Sequence, residues 1–261
     1  MDINYNTLFN LKNKVAIVTG GGGHLGSEMT KGLSDMGATV FVFGRNPDKY
    51  SDLSLYNNKI NIIQCDVSDE KQFSNEVEKI QDKLFGIDIL VNNAFNEDRK
   101  PIEEMTRMDW DMGIDNILSQ VFFCTQAVLP GMLKKGNGSI INIASIYGFL
   151  GINQSLYQEV KSSSVFYSTA KGGIIQMTRC LATEYASKGI RVNCISPGHF
   201  PKKTKGVPER PGYIVGLSDK TPMKRIGQPY EIPGGVIYLA SDASSFVTGQ
   251  NIIIDGGWSA W

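Results

Sequence analysis

The stretch that most constrains this chain is residues 14–26. Residues 14–19 (KVAIVT) form a short apolar run rich in β-branched side chains, the pattern of a strand buried on both faces. The run leads directly into Gly20-Gly21-Gly22-Gly23-His24-Leu25-Gly26. A helical pattern follows as far as Met36 and stops at Gly37. Strand, glycine turn and helix N-terminus in that order suit a dinucleotide. Glycines let the backbone approach a pyrophosphate, and the helix end supplies the complementary partial charge.

The same alternation runs through the rest of the chain. Further strands are expected at residues 39–43, 60–65, 87–91, 139–144, 190–195 and 251–254. Helices are expected at 71–84, with Ser68 as N-cap, and at 105–133, 166–187 and 229–241. Strands alternating with helices imply an α/β fold: a parallel sheet with helices on both faces. Ligands of such sheets bind beyond the C-terminal ends of the strands. The glycine turn, Asn93, Ser145 and Pro197-Gly198 all fall on that rim. No linker, repeat or low-complexity segment interrupts the pattern, so residues 1–261 read as one domain. Residues 199–228 are too long for an ordinary connection and read as a lid over the rim.

Bulk properties exclude several classes. Lys plus Arg and Asp plus Glu both number 26, which gives no reason to expect nucleic acid or an anionic membrane as partner. No uninterrupted apolar run approaches ~18 residues, so no membrane span is expected. The first ten residues are polar and lack a signal-peptide core, which points to the cytoplasm. Cys65, Cys124, Cys180 and Cys194 are scattered, without CxxC spacing, and read as buried free thiols of a reducing compartment. With only two histidines a multi-histidine metal site is excluded, and no metal is expected.

Two candidates for acid–base chemistry stand close together. Tyr167 and Lys171 lie four apart, as do Tyr157 and Lys161. On a helix that spacing puts phenol and ammonium on one face. A phenol titrates near pH ~10 when free, and a neighbouring cation favours its ionised form. Such a tyrosine can exchange a proton with a substrate oxygen near neutrality. After the second strand, where an acidic residue would hold the ribose 2′-OH of NAD, the chain has Gly44-Arg45-Asn46 instead. Arg45 suits a 2′-phosphate and favours NADP over NAD.

From residue 11 to residue 257 the sequence resembles the short-chain dehydrogenase/reductase family. The motifs are Thr19 to Gly26 (TGGGGHLG), Asn92-Asn93-Ala94, Asn116, Ser145, Tyr167 to Lys171 (YSTAK) and Pro197-Gly198. Arg225 to Pro229 (RIGQP) and Asp255-Gly256-Gly257 complete the pattern. There are three local departures, one being the family's threonine a few residues after Pro197-Gly198, which is absent where Pro201 and Lys202 stand. The family's middle glycine of the turn falls at His24, with Gly23 one place earlier, and Phe95 replaces the glycine of NNAG. The resemblance implies a Rossmann-type doubly wound, seven-stranded parallel sheet. It also implies that Tyr167, Lys171, Ser145 and Asn116 carry catalysis, with Asn116 holding a water that connects Lys171 to solvent. Cofactor contacts are implied for Gly20, Gly22, Gly23, Leu25 and Gly26, for Arg45, Asp66, Val67 and Asn93, and for Tyr167, Lys171, Pro197, Gly198 and Phe200.

The family's gap after Ser145 would select Tyr157, which lies 12 residues on, over Tyr167 at 22. Register and residue size select Tyr167. The stretch from Tyr167 to Asn193 keeps the family's spacing, and Ser168, Thr169 and Ala170 are small enough for a cofactor to approach. Gln158, Glu159 and Val160 are bulky, and Ser162-Ser163-Ser164 favours leaving a helix. Residues 152–165 are therefore an expected insertion, with Tyr157 and Lys161 as candidates for substrate recognition.

The expected activity is NAD(P)-dependent interconversion of a carbonyl and a secondary alcohol. A sugar, sugar acid or similar polar keto compound suits the lysines and arginines of the lid, including Lys202, Lys220, Lys224 and Arg225. The alternatives are a 3-oxoacyl-thioester reductase, or an inactive dinucleotide-binding sensor or scaffold. Trp258 and Trp261 close the chain and are expected at a subunit interface, in the homotetramer or homodimer the resemblance implies.

Overall fold

The computed structural model describes residues 4–84, 86–96, 100–153, 165–202 and 211–261. Its strands are β1 (Val15–Thr19), β2 (Thr39–Gly44), β3 (Ile60–Gln64), β4 (Ile89–Asn92), β5 (Gly138–Ile143), β6 (Ile190–Pro197) and β7 (Asn251–Ile254). They form one parallel sheet in the order β3-β2-β1-β4-β5-β6-β7. The helices are α1 (Gly26–Asp35), α2 (Ser51–Tyr56), α3 (Glu70–Leu84), α4 (Arg107–Ile114), α5 (Gln120–Lys135), α6 (Val165–Tyr185), α7 (Pro211–Lys220) and α8 (Pro233–Ala240). The expected doubly wound, seven-stranded sheet is therefore present. The strand order reverses direction between β1 and β4, the crevice in which such sheets bind ligands.

Alternation along the strands sends side chains to opposite faces. Ala16, Val18, Val40, Val42, Ile89 and Val91 pack with Met29 and Leu33 of α1 and Val236 and Leu239 of α8. Ile17, Phe43, Leu90 and Ile140 pack on the other face with Phe73 and Val77 of α3 and Cys124, Val128 and Met132 of α5. Both faces are dry, which is why these strands read as continuous apolar runs.

The elements differ from expectation where a local hydrogen bond or a proline decides. Asp69, not Ser68, caps α3: its carboxylate accepts from the Gln72 amide at 3.0 Å, while the Ser68 hydroxyl donates to Asp66 at 2.7 Å. The helix expected at 229–241 breaks into a 3-10 turn, Pro229–Glu231, and α8, because Pro233 has no N–H to continue the first turn. The segment expected as a lid contains a helix, α7, that the sequence pattern does not show. The expected helix at 105–133 is two helices joined by a π-helical turn, Asp115–Ser119. The continuous helical span Arg107–Lys135 is long and apolar enough, by length and composition only, to cross a bilayer. In this fold it is a core element: Val121, Cys124, Val128, Leu129 and Met132 are buried. Among the cysteines Cys180 is exposed, whereas Cys65, Cys124 and Cys194 are buried as expected. Burial pushes the Cys65 thiol up to about 12 and that of Cys194 to about 11, so neither is a thiolate near neutrality.

Candidate active site

Parallel pairing brings the strand C-termini to one rim, and the glycine turn sits at its centre. The Asn93 amide donates to the carbonyls of Thr19 and Gly20, both at 3.0 Å, and so ties the turn to the end of β4. Thr19 returns the contact, its hydroxyl accepting from the Asn93 amide at 2.9 Å and the Ala94 amide at 3.0 Å. A Cβ at Gly26 would lie 2.2 Å from the Gly20 carbonyl and 2.9 Å from the Asn93 amide nitrogen, so only glycine lets α1 start this close. The cradle fits a dinucleotide pyrophosphate. The ring of Tyr50 lies against Gly22 and Gly44 beside it. Leu25 is half-buried on the core beneath the turn.

His24, where the motif departs from the family, is a connector. Its Nε2–H donates to the Phe200 carbonyl at 3.1 Å, joining the glycine turn to the start of the segment expected as a lid. Burial lowers the pKa of His24 against that carbonyl, so the ring is neutral near pH 7. Arg45 is exposed at the end of β2. Asp66 and Val67 follow β3. The Asp66 carboxyl is raised by burial, but the Ser68 hydroxyl and amide, helped by Arg45, bring it below its ordinary value.

The expected catalytic side chains come from β5 and α6. Ser145 is buried just past the end of β5, and its hydroxyl oxygen accepts from the Tyr147 amide at 3.1 Å. The hydroxyl proton is left to donate toward the rim. Lys171 is 3% exposed, and its Nζ donates to the Ile143 carbonyl at 2.6 Å. The same ammonium lies 5.7 Å from the ring centre of Tyr167. Strand end and helix are pressed together at Gly148, where a Cβ would meet the backbone of Lys171 at 2.8 Å. Ser145, Tyr167 and Lys171 are thus gathered on one side of the rim. Asn116 stands half-buried on the π turn, against which α6 packs. There the Gln120 amide donates to the Asp115 carbonyl, five residues back, so the regular helical ladder is interrupted beside Asn116.

Pro197 and Gly198 close the rim at β6, where the Gly198 amide donates to the Ile254 carbonyl at 2.9 Å. His199 follows. Its ring meets Trp258 edge-on, with centroids 4.3 Å apart, and Tyr147 at 6.0 Å. Trp258, expected between subunits, makes this ring contact within its own chain, while Trp261 is 78% exposed. The basic character of the lid is weaker than its sequence suggested. Arg225 makes a two-point ion pair with Glu231, beyond the end of that segment, at 2.7 and 2.6 Å. Lys203, Lys205 and Arg210 lie outside the described residues, as do Tyr157, Lys161 and most of the insertion.

The sequence reading missed Gln120, Tyr50, Tyr147 and the placement of Phe95. Gln120 is buried and its side-chain amide donates to the Ala94 carbonyl. A polar residue four positions after Asn116 in an apolar helix was the available signal. The rings of Phe95 and Tyr167 lie 5.9 Å apart.

Comparison with known proteins gives the geometry its relatives. A family model described as "Enoyl-(Acyl carrier protein) reductase" matches residues 23–259. Gluconate 5-dehydrogenase of Gluconobacter oxydans (strain 621H) is 33% identical over 255 residues, 96% of each chain. A 3-oxoacyl-(acyl-carrier-protein) reductase of Thermotoga maritima is 35% identical over 252 residues, 95% of this chain and 98% of the relative. A solved structure of a gluconate 5-dehydrogenase from Burkholderia cenocepacia J2315, in complex with NADP and tartrate, has a TM-score of 0.88 at 29% identity and covers 99% of this chain and 100% of that one.

Proposed function

The chain belongs to the short-chain dehydrogenase/reductase family, and from that premise we propose that its substrate is a sugar, sugar acid or similar polar keto compound, with NADP as the preferred cofactor. The chain is an NAD(P)-dependent oxidoreductase that interconverts a carbonyl and a secondary alcohol by hydride transfer. The observation that carries the assignment of roles is the docking of Lys171 on the end of β5. Its Nζ reaches the Ile143 carbonyl at 2.6 Å, two residues before Ser145, and lies 5.7 Å from the Tyr167 ring centre.

Each chemical role follows from position. A bound nicotinamide supplies or accepts the hydride. Ser145 donates its free proton to the substrate oxygen and stabilises the charge that develops there. Tyr167 passes a proton to that oxygen in reduction and removes one in oxidation. The Lys171 ammonium favours the ionised phenol. Asn116, on the irregular π turn, holds water within reach of Lys171 so that the proton is replaced. The glycine turn and Gly26 cradle the pyrophosphate, Arg45 pairs with a 2′-phosphate, and Asp66 and Val67 border the adenine.

The substrate class rests on gluconate 5-dehydrogenase relatives that match nearly the whole chain, and on Tyr147 beside Ser145, with the rings of His199 and Trp258 following it. The NADP assignment rests on Arg45 and on the relative solved with NADP and tartrate. Residues 1–261 act as one cytoplasmic domain that assembles as a homodimer or homotetramer, with 199–228 as lid and 152–165 shaping the substrate site. Steady-state turnover tests this reading with gluconate, aldonic acids, aldoses and an acetoacetyl thioester, each with NADP and NAD. Polyhydroxy acids or sugars should give the highest kcat/KM, and NADP should exceed NAD by at least tenfold. Higher kcat/KM for the thioester would replace this assignment with the 3-oxoacyl reductase one.

A further inference from the structure

We propose that Phe95 is a positioning residue of this active site: its ring holds the Lys171 ammonium against Tyr167 and covers one side of that ammonium. The proposal rests on the catalytic reading of Tyr167 and Lys171 given above.

Phe95 occupies a place where the motif has no side chain, so the ring is an addition to the site. It is 49% exposed, whereas the Lys171 it covers is 3% exposed. The Lys171 Nζ lies 5.1 Å from the Phe95 ring centre and 5.7 Å from that of Tyr167. Both distances fall within the roughly 6 Å over which a ring quadrupole attracts a cation. The two rings are tilted at 58° with centroids 5.9 Å apart, so together they form a wedge around the ammonium.

The placement of the ring is built into the fold. Neighbouring Ala94 is fixed at both backbone groups: its N–H donates to the Thr19 hydroxyl at 3.0 Å and its carbonyl accepts from the Gln120 side chain. A large apolar ring half in water has no packing reason to sit here, since the cores beneath are already closed.

A buried ammonium is costly unless its surroundings compensate. The Ile143 carbonyl supplies one partner, and the ring faces of Phe95 and Tyr167 add attraction without competing for the substrate. Excluding water also lowers the local dielectric, so the ammonium acts more strongly on the phenol. Tyr167 and Lys171, both on α6, are the titratable side chains in contact with the Phe95 ring among the described residues. Leucine would retain the bulk and lose the quadrupole, and tryptophan would strengthen it.

The experiment is a near-ultraviolet phenolate titration of the full-length protein, which needs no substrate. Subtracting the Tyr167→Phe curve isolates Tyr167, and the subtraction is repeated in the Phe95→Leu and Phe95→Trp backgrounds. Phe95→Leu should raise the Tyr167 midpoint by about half to one pH unit, and Phe95→Trp should leave it unchanged or lower it. Denaturant midpoints of the variants establish that they are folded, and Phe95→Met replaces Phe95→Leu if the latter is not. An unchanged midpoint in Phe95→Leu, or equal shifts in Phe95→Leu and Phe95→Trp, would overturn the proposal. If turnover is lost in Tyr167→Phe while Phe95→Leu shifts nothing, the role of the ring alone falls. If Tyr167→Phe retains turnover, the catalytic reading falls and the proposal with it.

Discussion

His199 shows how one residue couples the rim to stability. Burial lowers its pKa to about 4, against the opposing pull of Asp255, and its Nε2 is buried without a hydrogen-bond partner among the described residues. The unfolded imidazole titrates near ~6.5. Between these values the unfolded chain binds the extra proton, so stability rises with pH across this window. The contribution is complete above about pH 6.5 and is lost as pH falls toward 4. Wild-type protein should therefore lose up to about 3 kcal/mol in urea unfolding between pH 6.5 and 4, and His199→Phe should lose distinctly less. Parallel curves for the two proteins would rule out His199 as the source. The sequence showed His199 after Pro197-Gly198 but not its burial, because Trp258 reaches it from a strand away. The choice of Tyr167 rests on local evidence at the same scale: a spacing of four, small residues between, and an unbroken helix after it.

At the scale of elements, a chain of buried hydrogen bonds joins the strands to α6. Asn92 on β4 donates to Thr125 on α5 at 3.1 Å and to Asn142 on β5 at 2.9 Å. Asn142 donates to Thr178 on α6 at 3.0 Å, and Thr178 donates to the Ile174 carbonyl at 2.8 Å. All four side chains are buried. Asn142→Leu should leave the Asn92 and Thr178 groups short of partners and destabilise the protein by about 1–3 kcal/mol. Because α6 carries Tyr167 and Lys171, turnover should fall as well. A denaturant midpoint within error of wild type would show that water replaces the amide. The strands were legible because two dry faces write themselves as apolar runs. The π turn, the break before α8 and the cap of α3 were not, because each depends on one bond or one missing donor within a continuing helical pattern.

At the scale of the molecule, the sheet leaves β7 as an edge strand, with exposed side chains at both of its ends and along it. Phe246 before β7 is fully exposed, as is most of Trp261 after it, and Ile253 on the strand is 43% exposed. Trp258, in contrast, is committed to His199 within the chain. The tail therefore separates into an inner residue that supports the rim and an outer one available for assembly. Trp261→Ser should lower the apparent mass in sedimentation while preserving the urea midpoint of the folded chain. Removal of residues 258–261 should lower both, through loss of the Trp258 ring contact. An unchanged mass in both variants would show that the tail takes no part in assembly.

The order of strands and helices and the glycine turn with its cofactor class were determined by the sequence alone, because periodicity and backbone freedom act over a few residues. Contacts across the sheet decided the rest. His24 joins the lid because β1 and β6 end on one rim, Arg225 is neutralised because Glu231 folds back to it, and Phe95 reaches Lys171 because β4 and α6 converge. Each of these pairs residues far apart in the chain or turned toward one another by a bend, and no local pattern encodes how near two such side chains come.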